Sequence, residues 1–294
     1  MSHVQNLTDN ARSLARRARF LKDTAEAWRR LSSAAKEGRL VTAVLARLRK
    51  AFYWGILRQA HFHCPEMPHI SVSGDFSALP ASVLLKQSFD RAAANIGGPP
   101  NFVRAIDGMS GQKYRTFINN LVRCHPDARY LEIGSWQGST AAAALYGNSV
   151  KALCIDNWSQ FGGPKEAFLA NIKRVRSQSP AADFRFIESD FRGVDYTSLG
   201  RFNIFLFDGP HEEQDQYDGI MVPRPALESP FVLIVDDWNW QHVRLVTFRA
   251  IRDAGYSIAS SIEIRTTQDN THAVVCGKNS DWHNGYFIAV LVGD

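Results

Sequence analysis

An α/β fold built on a mostly parallel sheet is the architecture that residues 101–294 predict. Three observations carry this expectation. Short apolar runs alternate with amphipathic stretches at helical spacing. Several runs, among them Ile204-Phe205-Leu206-Phe207 and Val232-Leu233-Ile234-Val235, are apolar on both faces, as central strands covered by helices on both sides must be. The tail breaks the alternation, with three apolar runs and no helix between them, which predicts antiparallel strands finishing one sheet edge.

Taken in order, residues 8–60 read as helical, rich in Ala, Leu and Arg and free of Pro. Leu14, Phe20, Leu21, Trp28 and Leu31 approximate one stripe, Val41, Val44, Leu45 and Leu48 another, and Gly38 marks a break between two helices. From His61 to Pro100 the pattern is less regular. The Gly97-Gly98-Pro99-Pro100 cluster predicts a boundary between a mainly helical N-terminal extension, 1–100, and a catalytic domain, 101–294. Strands are then predicted at Arg129–Ile133, Val150–Ile155, Phe184–Ile187, Phe202–Phe207 and Phe231–Val235. Helices are predicted near Ser139–Tyr146, Lys165–Arg176, Glu212–Met221 and Gln241–Ala254, and the tail strands at Tyr256–Ile264, His272–Val275 and Tyr286–Val292.

Composition narrows the class. The 294 residues are 45% hydrophobic and 21% charged, ordinary for a globular protein with a sizeable core. No apolar run approaches the roughly 18 residues of a membrane span, and the polar start MSHVQNLTDN leads into an Arg-rich stretch, so the expectation is a cytoplasmic protein. Cys64, Cys124, Cys154 and Cys276 are widely spaced, as in a reducing compartment. Residues 1–60 hold thirteen Lys/Arg against four Asp/Glu, a net charge of +9, which leaves −4 on the remainder. That basic segment reads equally as a solvated helical face or as a surface for assembly or an anionic partner.

The chemistry is concentrated at strand ends. In Arg129-Tyr-Leu-Glu-Ile-Gly-Ser-Trp-Gln-Gly-Ser-Thr, a strand carrying Glu132 runs into Gly134, Ser135, Gly138 and Ser139 before a helix. Glycine permits the tight turn and lets a ligand approach the backbone. The spacing E-x-G-x-x-x-G is not the dinucleotide fingerprint, and a generic α/β glycine turn would show it too. The next strand ends in Asp156, about 20 residues on, where a carboxylate can take the two ribose hydroxyls of a nucleoside. The third ends in Glu188-Ser189-Asp190. Strand Phe202–Phe207 ends in Asp208-Gly-Pro-His211, and Phe231–Val235 ends in Asp236-Asp237. Three carboxylates at one rim repel unless protonated, salt-bridged or bound to a cation, and an all-oxygen set suits Mg²⁺ above a thiolate-preferring ion. Helix capping accounts for the same residues without a metal. An H-x-H-C-x₄-H cluster at His61, His63, Cys64 and His69 matches no standard zinc spacing. Trp238 and Trp240, beyond the acidic pair, are candidates to line an acceptor pocket or to pack in the core.

Over about residues 110–277 these motifs resemble the class I S-adenosylmethionine-dependent methyltransferases, and within them the metal-dependent O-methyltransferases, both catechol-type and the macrolide- and sugar-modifying branch. The resemblance implies a Rossmann-like sheet with antiparallel C-terminal strands. It places the methionine part of the cofactor at Glu132, Gly134, Ser135, Gly138 and Ser139, the ribose at Asp156 and the adenine edge at Ser189 and Asp190. Asp208, Asp236 and Asp237 fall on its metal-ligand positions and His211 on its general base. It implies methylation of a hydroxyl of a small molecule or carbohydrate, with no nucleic-acid motif. The alternatives are a hydroxylase-like relative of the antibiotic- and sugar-tailoring branch, and a catalytically silent binding module. A homo-oligomer assembled through the N-terminal helices is a further expectation.

Overall fold

The computed structural model describes residues 67–293. The helices expected over 8–60 and an oligomer formed through them lie outside the described residues, as do His61, His63 and Cys64. The described part belongs to one compact unit. Eight strands form a single sheet: β1 (His69–Gly74), β2 (Ala128–Ile133), β3 (Val150–Asp156), β4 (Ala182–Glu188), β5 (Phe202–Phe207), β6 (Leu227–Val235), β7 (Tyr256–Arg265) and β8 (Tyr286–Gly293), in the order β1-β7-β8-β6-β5-β2-β3-β4. Strands β2 to β6 pair in parallel, whereas β8 runs antiparallel to β6 and β7, and β1 antiparallel to β7. This is the mostly parallel, Rossmann-like sheet with antiparallel C-terminal strands that the sequence predicts.

Among the described residues seven α-helices accompany it: α1 (Pro80–Ala93), α2 (Asn101–Arg104), α3 (Gln112–Cys124), α4 (Ser139–Leu145), α5 (Lys165–Arg176), α6 (Glu213–Met221) and α7 (Gln241–Asp253). Alternation along β5 and β2 feeds two cores. Tyr130, Ile204 and Leu206 pack on the face of α3 and α4, whereas Leu131, Ile133, Phe205 and Phe207 pack on the face with Ile220, Val243 and Ala250 of α6 and α7. Both cores are close to fully buried, which explains why the central strands are apolar throughout. Among the described residues no helix is long and apolar enough to cross a membrane.

Two features differ from the sequence expectation. N-terminal to the Gly97–Pro100 cluster, β1 pairs with β7, and Phe89 of α1 stacks on Trp282 at 5.5 Å. The strand expected at His272–Val275 is absent, and residues 266–285 form a loop. Side chains there take the place of a ladder. Asn239 Oδ1 accepts from the Thr266 and Thr267 amides, and Asn284 Oδ1 accepts from the Ala273 amide at 3.0 Å.

Register positions the functional rim. Ile133 is level with Ile155 and Phe207, Phe207 with Val235, and Asp156 with Glu188. From β2 the chain winds outward to β3 and β4, then crosses to β5 and β6 on the other side. The reversal between β2 and β5 is the topological switch point, where open α/β sheets take ligands beyond the carboxyl ends of the strands.

Candidate functional site

A cavity of about 840 Å³ opens at that rim, within the range of small-molecule sites. Its lining includes Gly134, Asp156, Asp208, His211, Asp236 and Asp237. Backbone strain marks the same place. Among the described residues seven non-glycine residues have positive φ, and six of them (Trp136, Trp158, Phe161, Asp237, Asn270 and His283) line this cavity. Each costs on the order of 1–3 kcal/mol unless its surroundings over-determine it, and such residues cluster at functional sites.

The half facing β2, β3 and β4 is built around backbone amides. Gly134 has φ +86°, and a Cβ there would stand 1.9 Å from the Asp208 carbonyl oxygen, so glycine is what lets the ends of β2 and β5 close up. Asp156 clips the turn: Oδ2 accepts from the Ser135 and Trp136 amides at 2.7 and 2.8 Å, and Oδ1 from the Trp158 amide at 2.6 Å. A carboxylate has about four acceptor positions. Three are used, which leaves about one acceptor position open toward the cavity. Ser139, Ser189 and Asp190 also line the cavity, and Asp190 accepts from the Arg192 amide at 2.9 Å. Glu188 pairs instead with Lys165. Glu132 faces the core, fully buried, and accepts from the Tyr130 hydroxyl at 2.5 Å. Burial, opposed by that hydrogen bond, pushes its carboxyl up to about 7.

The half facing β5 and β6 gathers charge. Burial, and then the charge of Asp237, raises the Asp208 carboxyl well above the usual carboxylate range. Burial, followed by Asp208 and Asp237, does the same to Asp236. Asp236 Oδ1 accepts from the Asp237 amide at 2.8 Å, and the Asn284 amide donates to Asp237 Oδ1 at 2.8 Å, which holds Asp237 in its left-handed conformation at φ +57°. Among the described residues no Lys or Arg forms an ion pair with any of the three; His211 Nε2 lies 3.9 Å from Asp208 and 3.6 Å from Asp237.

The sequence reading missed the residues that orient His211. Gln216, fully buried on α6, donates through Nε2 to Thr247 Oγ1 on α7 at 2.9 Å, which turns its Oε1 to His211 Nδ1 at 2.8 Å. Nδ1 therefore donates to Gln216, and Nε2, buried and without a hydrogen-bond partner, faces the carboxylates. No motif in the chain marks Gln216 or Thr247. Of the two tryptophans, Trp238 is a core residue stacked on Phe287 at 4.5 Å, whereas Trp240 lines the cavity next to His211.

Among the described residues, the metal-like group whose ligand atoms approach within 4.8 Å of one another is Asp237, His272 and His283, with Asp208 and Asp236 outside it. His283 suits it poorly. Its Nδ1 accepts from the Gly277 amide at 2.9 Å, and burial lowers its pKa to about 4, so the ring is neutral with its proton on Nε2. The Nε2 hydrogen makes this ring a donor rather than a ligand at that nitrogen.

No family model and no curated protein matches the chain. Among solved structures it is similar to an O-methyltransferase from Bacillus cereus in complex with SAH, at 16% identity over 73% of this chain and 93% of that one, with a TM-score of 0.44. It is similar to the O-methyltransferase TomG from Streptomyces achromogenes, involved in tomaymycin synthesis and in complex with SAM, at 13% identity over 76% and 92%, with a TM-score of 0.44. It is also similar to TrmN from Thermus thermophilus, at 15% identity over 62% of this chain and 48% of that one, so that it spans about half that protein's length, with a TM-score of 0.42.

Proposed function

We propose that the protein is an S-adenosylmethionine-dependent O-methyltransferase that holds a divalent cation, Mg²⁺ by its oxygen donors, and methylates a hydroxyl of a small molecule or carbohydrate. One observation carries the reading: a glycine turn with its strand-end aspartate shares a cavity with three aspartates and the His211 imidazole. The donor set fits the cation. Buried carboxylates that raise one another's pKa, unpaired by any described Lys or Arg, are stabilised by a compact positive charge.

Methyl transfer is an in-line displacement, in which the acceptor oxygen bonds to the methyl carbon as the carbon–sulfur bond breaks and its electron pair stays on sulfur. Asp208, Asp236 and Asp237 would hold the cation, whose charge lowers the pKa of a nearby hydroxyl. His211 Nε2 takes the hydroxyl proton, and the resulting imidazolium is stabilised by Asp208 and Asp237 beside it. Gln216 keeps Nε2 free for that proton. Asp156 holds the ribose while fixing the turn, and Trp240 offers a flat wall for the acceptor.

The test is transfer of label from S-adenosylmethionine to a panel of hydroxylated acceptors, with Mg²⁺ and with excess chelator. Label on oxygen that disappears in chelator and returns with Mg²⁺ is the expected result. Undiminished transfer in chelator removes the metal from the proposal, and cofactor binding without transfer to any acceptor leaves a silent binding module.

A further inference from the structure

We propose that Arg115 and Ser110 are positioning residues that make the Ser139 hydroxyl a hydrogen-bond donor toward an anionic group in the cavity, the carboxylate of an amino-acid-bearing cofactor. The inference rests on the cofactor reading above and adds to it the residues that select for the amino-acid tail.

Arg115 on α3 is fully buried, and among the described residues no carboxylate forms an ion pair with it. Its donors instead collect the loop that follows α2. Nη1 donates to the Arg104 and Ile106 carbonyls, each at 2.8 Å, Nη2 reaches the Gly108 carbonyl at 3.4 Å, and Nε donates to Ser110 Oγ at 2.9 Å. Burial lowers its pKa to about 10, so it remains cationic at neutral pH.

A guanidinium has no acceptor, which fixes the direction of the first link: Ser110 accepts from Arg115. The buried Ser110 hydroxyl then has Ser139 Oγ, at 2.9 Å, as its remaining hydrogen-bond partner, and in the proposed relay Ser110 is the donor there. Ser139 thereby accepts from Ser110, and its remaining proton is free to donate into the cavity that it lines with Met109 and Thr140. The contact depends on Gly108, because a Cβ there would stand 2.1 Å from Ser139 Oγ. A buried cation relayed through two buried hydroxyls favours an anion at the end of the relay. In a zwitterionic sulfonium nucleoside that anion is the carboxylate of the methionine part.

The prediction concerns selectivity between ligands rather than affinity alone. Full-length wild type, Ser110→Ala and Arg115→Lys would be titrated calorimetrically with S-adenosylhomocysteine and with 5′-methylthioadenosine, which has the nucleoside and sulfur but no carboxylate. Ser110→Ala should weaken S-adenosylhomocysteine roughly tenfold and leave 5′-methylthioadenosine within about twofold. Arg115→Lys, which keeps the charge but loses the Nε donor, should show the same selective loss; if that buried variant does not fold, Ser110→Ala decides. Equal losses for both ligands, or none for S-adenosylhomocysteine, overturn the inference while the cofactor reading stands. A wild type that binds neither ligand removes the cofactor reading and this inference with it.

Discussion

The two halves of the cavity handle charge in opposite ways. On the β3 side, Asp156 uses three acceptor positions on backbone amides, so one carboxylate is both a wall of the cavity and the clip that shapes its glycine turn. On the β5 and β6 side, buried Asp236 and half-buried Asp208 raise each other's pKa together with Asp237, and no described Lys or Arg pairs with them. One half uses charge to hold backbone in shape; the other concentrates charge that its own side chains do not neutralise. Cofactor binding and cation-dependent chemistry should therefore separate under mutation.

The largest expected effect breaks the second half alone. Asp236→Ala should lower turnover roughly 10³-fold while the cofactor Kd moves less than about twofold. Asp236→Asn refines this, because an amide oxygen can still accept from the Asp237 amide; it should keep the melting temperature and lose most of the turnover. A cofactor Kd that rises in step with lost turnover would show that the halves are not independent.

Next in size is the base. His211→Ala should reduce kcat by roughly 10²–10³-fold at unchanged cofactor affinity. Gln216→Leu leaves the imidazole in place but removes the acceptor that keeps its proton on Nδ1, and should cost about tenfold in kcat. Full kcat in Gln216→Leu, with chemistry rate-limiting, would remove the orienting role.

Asp156→Ala tests the first half. One lost charge-assisted hydrogen bond to ribose corresponds to about 1.5–3 kcal/mol of cofactor affinity. The three amides it clips also lose their acceptor, so the melting temperature should fall as well. Weaker binding without any loss of stability would mean that the clip contributes nothing to the fold.

The smallest effect on turnover is expected at Glu132, which is read through stability. Burial raises its carboxyl from an ordinary 4.5 to about 7 in the folded protein. Its contribution is therefore fully present below pH 4.5 and is lost as pH rises through 7. Glu132→Gln escapes that loss, so its stability relative to wild type should climb over this window, by at most about 3 kcal/mol. A difference that stays flat with pH in denaturant titrations would contradict the shift.

What was legible in the sequence is what the sheet repeats. Apolar runs that stop at Asp156, Asp208 and Asp236 announce both the strands and the acidic residues at their carboxyl ends, and parallel register brings those ends level. Pairings carried by backbone or by distant side chains left no such mark. His69–Gly74 joins the sheet through its ladder to β7, but its apolar alternation is only two residues long, Ile70 and Val72, both exposed, which is too short a pattern to mark a strand. His272–Val275 has the apolar pattern of a strand, yet the amides of this loop are taken up by Asn239, outside it, and by Asn284, at its far end. Gln216 meets Thr247 across 31 residues, and Ser110 meets Ser139 across 29. Neither separation follows from a motif; both follow from helices packing on the sheet.

The measurement that tests the account most directly is a calorimetric titration of S-adenosylhomocysteine into the chelator-treated protein, followed by Mg²⁺ into the resulting complex. The account predicts a saturable heat for the nucleoside in chelator and a second heat for Mg²⁺, the latter abolished in the Asp208→Asn, Asp236→Asn double variant. Absence of the first heat in a folded protein would contradict the account at its base, and an Mg²⁺ heat that survives in the double variant would contradict its placement of the cation.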